Sequence, residues 1–345
     1  MKTRITELFG IQYPILLSGM SWISVPKMVA AVSNAGGLGI LATGPLSADE
    51  TRQAIGEIRS LTKKPFAANA SLMLPGATSN AEVLLEEKVP VINFALGKGD
   101  WIVKRAHEYG GKVMATVVNV RHAKRAQDDG ADAVIDTGHE AAGHGGPVTS
   151  LVLIPTLADT LNIPVIAAGG FADGRGLSAA LSLGADAVAM GTRFMTTKES
   201  PLHDYYKTLS LEKTPYDTLY SSHFDGLPAR VMDTESARKV LKRGLNLPAA
   251  FVNSRAIAKQ LGLPFPKLFF GVIAAGLDKA VALAYMANAF DSIKRATENG
   301  DSKIGVLPVG QVMGLLKDTP TVAEVMERIV KEAIEVQKDL GKKLA

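Results

Sequence analysis

The chain has 345 residues, 47% hydrophobic and 21% charged, the balance of a globular protein with room for one large domain and an appendage. Its 38 basic and 34 acidic residues are well mixed and leave a net charge of +4, with no Lys/Arg run long enough to read as a nucleic-acid surface. The absence of cysteine excludes disulfides, thiolate catalysis, iron–sulfur clusters and Cys-ligated zinc.

Short apolar, β-branched runs alternate with segments of helical spacing from the N-terminus to about residue 200. The predicted strands are Pro14–Leu17, Leu38–Leu41, Phe66–Ala70, Val91–Phe94, Lys112–Val117, Ala133–Asp136, Pro164–Ala168 and Ala187–Met190. Between them, Val25–Ala35, Ala48–Leu61 and Val120–Gly130 carry apolar residues at helix spacing. Strands this uniformly apolar are buried on both faces, as parallel strands under helices must be. Eight such repeats predict an α/β fold, a (β/α)8 TIM barrel. The first turn, Ser18-Gly-Met-Ser-Trp22, lacks the G-x-G-x-x-G of an open nucleotide-binding sheet.

After Arg193 the pattern changes. Helical stretches are predicted at Thr234–Arg243, Ser254–Gln260 and Leu268–Arg295, punctuated by Pro264 and Pro266, with no clear strands. The expected organisation is a barrel with C-terminal helices over residues 1–200 and 306–345, and a helical insertion over 201–305 that covers the active site. The cluster Arg238 to Arg243 reads as a solvated helix face, and Leu268 to Ala289, interrupted by Asp278 and Lys279, as a buried helix pair rather than a membrane span. The N-terminus has neither the apolar core nor the cleavage site of a signal peptide, so a cytoplasmic protein with no membrane partner is expected. The tail, Pro320 to Leu344, describes an amphipathic helix through Val322, Val325, Met326, Ile329, Val330, Ile334 and Val336, with Thr321 as N-cap and Glu324 completing the box.

The sharpest feature is the pair Ile163-Pro-Val-Ile-Ala-Ala-Gly-Gly170 and Ala185-Asp-Ala-Val-Ala-Met-Gly-Thr192. Two consecutive strands end in bare glycine backbone, which turns N–H groups onto an anion where barrels dock phosphates. Strand six leads into Thr137-Gly-His-Glu-Ala-Ala-Gly-His-Gly-Gly146, and glycines around His144 leave its ring free to reach the mouth as an acid–base or anion-stabilising group. The alternative is a histidine that pins its loop by hydrogen bonding. His139 beside Glu140 reads as a cap or pair, and His203 and His223 as ordinary polar packing. With no cysteine and no H-E-x-x-H, no metal site is expected. Asn69, closing strand three, either meets the edge of a heteroaromatic ring or caps its loop. Ser18, Gly19 and Met20 end strand one, where backbone amides and a soft side chain would meet a flat cofactor; Trp22 walls that pocket or fills a gap. Gln311 faces the pocket or satisfies a buried backbone group.

These residues together resemble the nitronate monooxygenase family of FMN-dependent barrels, which includes the flavin-dependent enoyl-ACP reductases II. The match spans nearly the whole chain through Thr6-Glu-Leu-Phe-Gly, Tyr13-Pro-Ile, Ser18-Gly-Met, Ala30-Ala-Val-Ser-Asn-Ala-Gly-Gly-Leu-Gly39, Lys64-Pro-Phe, Asn69, Glu140-Ala-Ala-Gly-His144, Pro164-Val-Ile-Ala-Ala-Gly-Gly-Phe-Ala-Asp173, Met190-Gly-Thr-Arg-Phe194 and Gly310-Gln311. The resemblance implies non-covalent FMN with its phosphate at Gly169, Gly170, Gly191 and Thr192. It implies Ser18, Gly19, Met20, Asn69 and Gln311 as further cofactor-binding residues, and His144 as the catalytic residue beside the reactive flavin nitrogen. The implied activity is oxidation of alkyl nitronates with O2. The alternative is an NAD(P)H-dependent reductase or dehydrogenase of an enoyl or cyclic acyl thioester of ACP or CoA, with NADH or NADPH docking transiently. A flavin-free phosphosugar-binding barrel would use the same glycines. A homodimer is left open. The chain departs from many relatives in having Thr137, not an acidic or amide residue, at the end of strand six. Its segment from His223 to Leu268, opening His-Phe-Asp-Gly-Leu-Pro-Ala-Arg, is longer than in the enoyl-ACP reductases and looks more like relatives that act on acyl-CoA intermediates.

Overall fold

Eight parallel strands form one sheet in the order β1-β8-β7-β6-β5-β4-β3-β2 in the computed structural model, which describes residues 1–74, 76–262, 264–266, 270, 272 and 276–345. They are β1 (Ile15–Leu17), β2 (Gly39–Ala42), β3 (Phe66–Ser71), β4 (Val91–Ala95), β5 (Lys112–Val117), β6 (Ala133–Thr137), β7 (Val165–Ala168) and β8 (Ala187–Met190). Leu16 bridges to Leu38, and the Leu17 N–H donates to the Leu38 carbonyl at 3.0 Å, so the first and last strands of the sheet meet. The fold is the predicted (β/α)8 TIM barrel, and each strand end lies within one residue of its predicted place.

Strand alternation sorts the side chains into two apolar layers. Leu16, Ile40, Ala67, Val91, Met114, Ile135, Ile166 and Ala189 fill the interior, joined by Ile5 and Phe9 of the leading helix α1 (Arg4–Phe9). Leu17, Leu41, Ile92, Val134, Val165 and Val188 point the other way, among Val29, Ile55, Leu84 and Ile154 of the surrounding helices. Burial on both faces is why the strands read as unbroken apolar runs.

Asp136 breaks that rule. It lies between inward-facing Ile135 and the strand's end, is fully buried, and neither carboxylate oxygen has a hydrogen-bond partner among the described residues. Desolvation pushes its pKa up to about 8, outweighing the nearby amides of Asp136 and Ala168, and Glu140 adds to the rise. The unfolded carboxyl ionises near 3.8, so between about pH 4 and 8 the folded chain keeps a proton that the unfolded chain releases. Stability then falls as pH rises through this window and levels off above it. Replacing Asp136 with Asn is expected to remove that slope. Its stability relative to the parent should climb by on the order of a few kcal/mol from pH 4 to 8, read by urea unfolding at several pH values. A difference independent of pH would show that Asp136 is ionised in the folded chain.

Beyond β8 follow α10 (Asp204–Glu212), α11 (Glu235–Arg243), α12 (Leu247–Gln260) and α13 (Leu277–Asn299). The expectation that this region lacks strands is wrong: β9 (Thr218–Ser221) and β10 (Ala229–Met232) pair antiparallel, with Arg230 opposite Tyr220. Each strand is too short for a period-2 pattern to stand out, and a buried arginine interrupts the apolar run of β10. Of the predicted Leu268–Arg295 helix, the part from Leu277 on is α13, which starts after Gly276 at φ of 99°. Positions 268, 269, 271 and 273–275 lie outside the described residues, and Leu277, expected in a buried helix pair, is exposed. No described helix is long and apolar enough to cross a membrane.

The last helix, α14 (Val322–Leu344), has the predicted capping box between Thr321 and Glu324. It buries Val322, Val325, Met326, Ile329 and Ala333, and Ser178 of α8 (Gly174–Ser182) donates to the Ala333 carbonyl at 3.1 Å. The buried stripe ends there, so Ile334, predicted within it, is 42% exposed and Val336 is half-buried.

Candidate active site

Every sequence-predicted site residue lies at or just beyond a strand's carboxyl end, or on a loop that folds back over one. The Ser18–Met20 turn is held from below by Ser24, whose fully buried hydroxyl donates to the Ser18 carbonyl at 2.7 Å and accepts from the Met20 N–H at 3.0 Å. The turn faces two other predicted positions. A Cβ on Gly19 would lie 3.1 Å from Asn69 Cβ, and one on Gly191 would lie 3.3 Å from Met20 Sδ. Trp22 follows with φ of 61°, a left-handed conformation that costs a bulky residue about 1–2 kcal/mol. Its ring meets Phe290 of α13 edge-on at 4.5 Å, so it packs between the first loop and α13.

At the end of β7, Gly169 and Gly170 take φ of 100° and 86°, backbone that L side chains rarely adopt. The Ser150 hydroxyl donates to the Gly169 carbonyl at 2.8 Å, while Ser150 N–H donates to the Glu140 carboxylate at 2.9 Å. Glu140 thus ties the β6 loop to the β7 loop. Thr192 opens the four-residue helix α9 (Thr192–Met195), which no described side chain caps. Its Oγ1 accepts from Gly310 N–H at 3.0 Å, and the Gln311 N–H donates to the Glu140 carbonyl at 3.0 Å. This bond fixes the main chain of Gln311 beside the β6 loop.

The loop after β6 carries His139 and His144. His139 holds the loop together: Nδ1 lies 3.0 Å from the Gly146 carbonyl and its ring meets Tyr220 edge-on at 4.6 Å. His144, with a side chain 34% exposed, places Nε2 2.7 Å from Asp225 Oδ2. Asp225 is itself fixed by the Leu227 N–H, which donates to Oδ1 at 3.1 Å. With the carboxylate accepting, Nε2 of the neutral ring carries the proton and Nδ1 has no partner among the described residues. His203 and His223 do local work, His203 accepting from Tyr205 N–H at the start of α10 and His223 stacking on Tyr285.

Sequence reasoning missed what holds this loop in place. Arg230, 4% exposed, donates to the His139 carbonyl at 2.9 and 3.2 Å and to Thr218 Oγ1 at 2.8 Å. Burial lowers its pKa below the usual guanidinium range, yet a guanidinium stays charged at any working pH. Tyr220 donates to the Gly145 carbonyl at 2.7 Å, and Gly143 forms an antiparallel bridge with Arg230. The β9–β10 hairpin and its connection therefore grip the loop at His139, Gly143, His144 and Gly145. The one signal was the stretch holding Asp225 and Arg230, visible in sequence as a departure with no role attached.

A model of the family described as nitronate monooxygenase matches residues 2–82 and 74–332. The chain is 38% identical to the (3aS,4S,5R,7aS)-5-hydroxy-7a-methyl-1-oxo-octahydro-1H-indene-4-carboxyl-CoA dehydrogenase of Rhodococcus jostii (strain RHA1), covering 99% of this chain and 98% of the relative. It is 31% identical to a probable nitronate monooxygenase of Staphylococcus saprophyticus, over 70% of this chain and 81% of the relative. Among solved structures, FabK from Thermotoga maritima is 38% identical, with a TM-score of 0.84 over 99% of both chains. The nitroalkane oxidase from Streptomyces ansochromogenes is 25% identical, with a TM-score of 0.78 over 97% of this chain and 99% of that one.

Proposed function

Because the chain belongs to the nitronate monooxygenase family, we propose that it is an FMN-dependent oxidoreductase whose substrate proton is held or moved by Nδ1 of His144. The observation that carries this reading is the 2.7 Å contact between His144 Nε2 and Asp225, which leaves an oriented imidazole at the barrel's mouth.

The residues present fit FMN. The left-handed Gly169–Gly170 backbone carries no side chains and stands with the uncapped first turn at Thr192, the loops where barrels bind phosphates. Gly19, where a side chain would crowd Asn69, leaves bare backbone beside an amide, as a flat ring requires. In this reading Gly169, Gly170, Gly191 and Thr192 hold the phosphate, and Ser18, Gly19, Met20, Asn69 and Gln311 border the rest. The segment 201–305 covers the site and excludes water. When bound, FMN supplies the acceptor or donor for an electron pair.

An acyl thioester, of CoA or ACP, is the substrate class favoured by the comparisons. The Rhodococcus relative, named for a carboxyl-CoA, matches from end to end, whereas the staphylococcal nitronate monooxygenase spans 70% of the chain. Oxidation of an alkyl nitronate is the second reading, favoured by the family model and the nitroalkane oxidase structure. Both need a group that answers a negative charge developing at carbon, and His144 serves either.

The test is anaerobic mixing of the purified yellow protein with NADH, NADPH and, separately, propionate 3-nitronate. Bleaching by a nicotinamide nucleotide, reversed by a 2-enoyl-CoA without oxygen, is the result expected for the thioester reading. Bleaching by the nitronate alone, reversed by air, would establish the second. A colourless protein that cannot be reconstituted with FMN would overturn both and restore the phosphosugar barrel.

A further inference from the structure

Asn69 does not stand alone at the end of β3. Its register partner on β4 is Asn93, 3% exposed, and the two carboxamides join through Asn69 Nδ2 and Asn93 Oδ1 at 2.5 Å. On its far side Asn93 Nδ2 donates to the Met114 carbonyl at 3.2 Å and to Thr116 Oγ1 at 3.0 Å. The Met114 carbonyl decides the order of the whole chain. A carbonyl oxygen only accepts, so Asn93 must turn its NH2 toward it. Its Oδ1 then faces Asn69 and can only accept, which obliges Asn69 to turn its own NH2 inward. Asn69 Oδ1 is left on the opposite side, where the Ser71 hydroxyl donates to it at 3.2 Å from a position nearer the barrel's rim.

We infer that Asn93 is a positioning residue: it fixes the carboxamide of Asn69 with the acceptor oxygen toward the rim, so that this site meets a ring N–H of its cofactor with an acceptor instead of a second donor. The inference rests on the reading that FMN borders Asn69. Without Asn93, Asn69 is free to flip, and half of its orientations oppose a donor with a donor.

The experiment is fluorescence titration of FMN into the apoprotein, with the absorption spectrum of the bound flavin recorded for each variant. Asn93→Leu is expected to raise the Kd about tenfold, the value of one misaligned hydrogen bond in a buried site, and to shift the flavin bands. In an Asn69→Leu background the same change should alter Kd less than about twofold, since the residue acts through Asn69. Asn93→Asp, which keeps the volume if leucine prevents folding, should bind FMN more tightly as pH falls, because only the protonated acid can donate to Met114 while accepting from Asn69. Equal penalties in both backgrounds, or unchanged Kd and spectrum in Asn93→Leu, or a pH-independent Kd in Asn93→Asp, would overturn the inference. Failure of the unaltered apoprotein to bind FMN would instead overturn the reading beneath it.

Discussion

His144→Ala is expected to lower turnover of the true substrate by about 10²- to 10⁴-fold while leaving FMN content unchanged, the range that a positioned acid–base group supplies. The separation of effects follows from the geometry. His144 is fixed by Asp225 of the β9–β10 connection, while Glu140 of the same loop is tied through Ser150 to the Gly169 carbonyl. Removing the imidazole leaves those loop ties intact. Asp225→Asn should cost less, because an amide can still bond Nε2 but no longer dictates which ring nitrogen carries the proton. The double variant should be no slower than His144→Ala alone, since residues that act as a unit are not additive. Steady-state rates of the three variants, with flavin content measured on the same samples, decide the matter. Undiminished turnover in His144→Ala would remove His144 from the chemistry. A double variant slower by the product of the two single losses would mean that Asp225 acts on something other than His144.

The barrel was legible in the sequence because parallel strands under helices are apolar throughout, and no interior polar ladder interrupts them until the carboxyl ends. The residues proposed to face the cofactor were legible for a related reason: Gly170, Gly191 and Asn69 stand where an apolar run stops, and the stop itself is the signal. Asp225 and Arg230 gave no such signal. They sit in a hairpin whose strands have four residues each, and their partners lie 81 and 91 positions away along the chain. A hydrogen bond between elements so far apart leaves no periodicity, and a buried arginine held by the His139 carbonyl, the Thr218 hydroxyl and the Tyr220 ring resembles a surface arginine when read alone. Asn93 was hidden differently, inside a run read only for its apolar residues. Its importance appears once register sets it beside Asn69. Asp136 closed a predicted strand in plain view, but alternation, which sends it outward among the helices, makes it unusual only in three dimensions.

Gly170→Asp is expected to abolish useful FMN binding, and its comparison with Gly170→Asn isolates why. Gly170 has φ of 86°, so any side chain there is strained, and Asn tolerates that backbone about as well as Asp does. Steric strain is therefore common to both variants. A Cβ at this position would meet Glu140 Cβ at 3.5 Å, an ordinary contact, and the two side chains are alike in size. What differs is charge. A carboxylate about 5 Å from a phosphate, at an effective dielectric near 20, costs on the order of 3 kcal/mol per pair of charges, or roughly a hundredfold in Kd. Salt should shrink the difference between the variants if part of the field passes through solvent. Glu140 adds a second repulsion, since its carboxylate already holds Ser150, and this makes the aspartate variant less stable than the asparagine one even without cofactor. Thermal unfolding of both apoproteins measures that part separately. If the two variants then bind FMN equally, the anion lies elsewhere on the rim, and the glycines of β7 and β8 serve only to let loops pass one another.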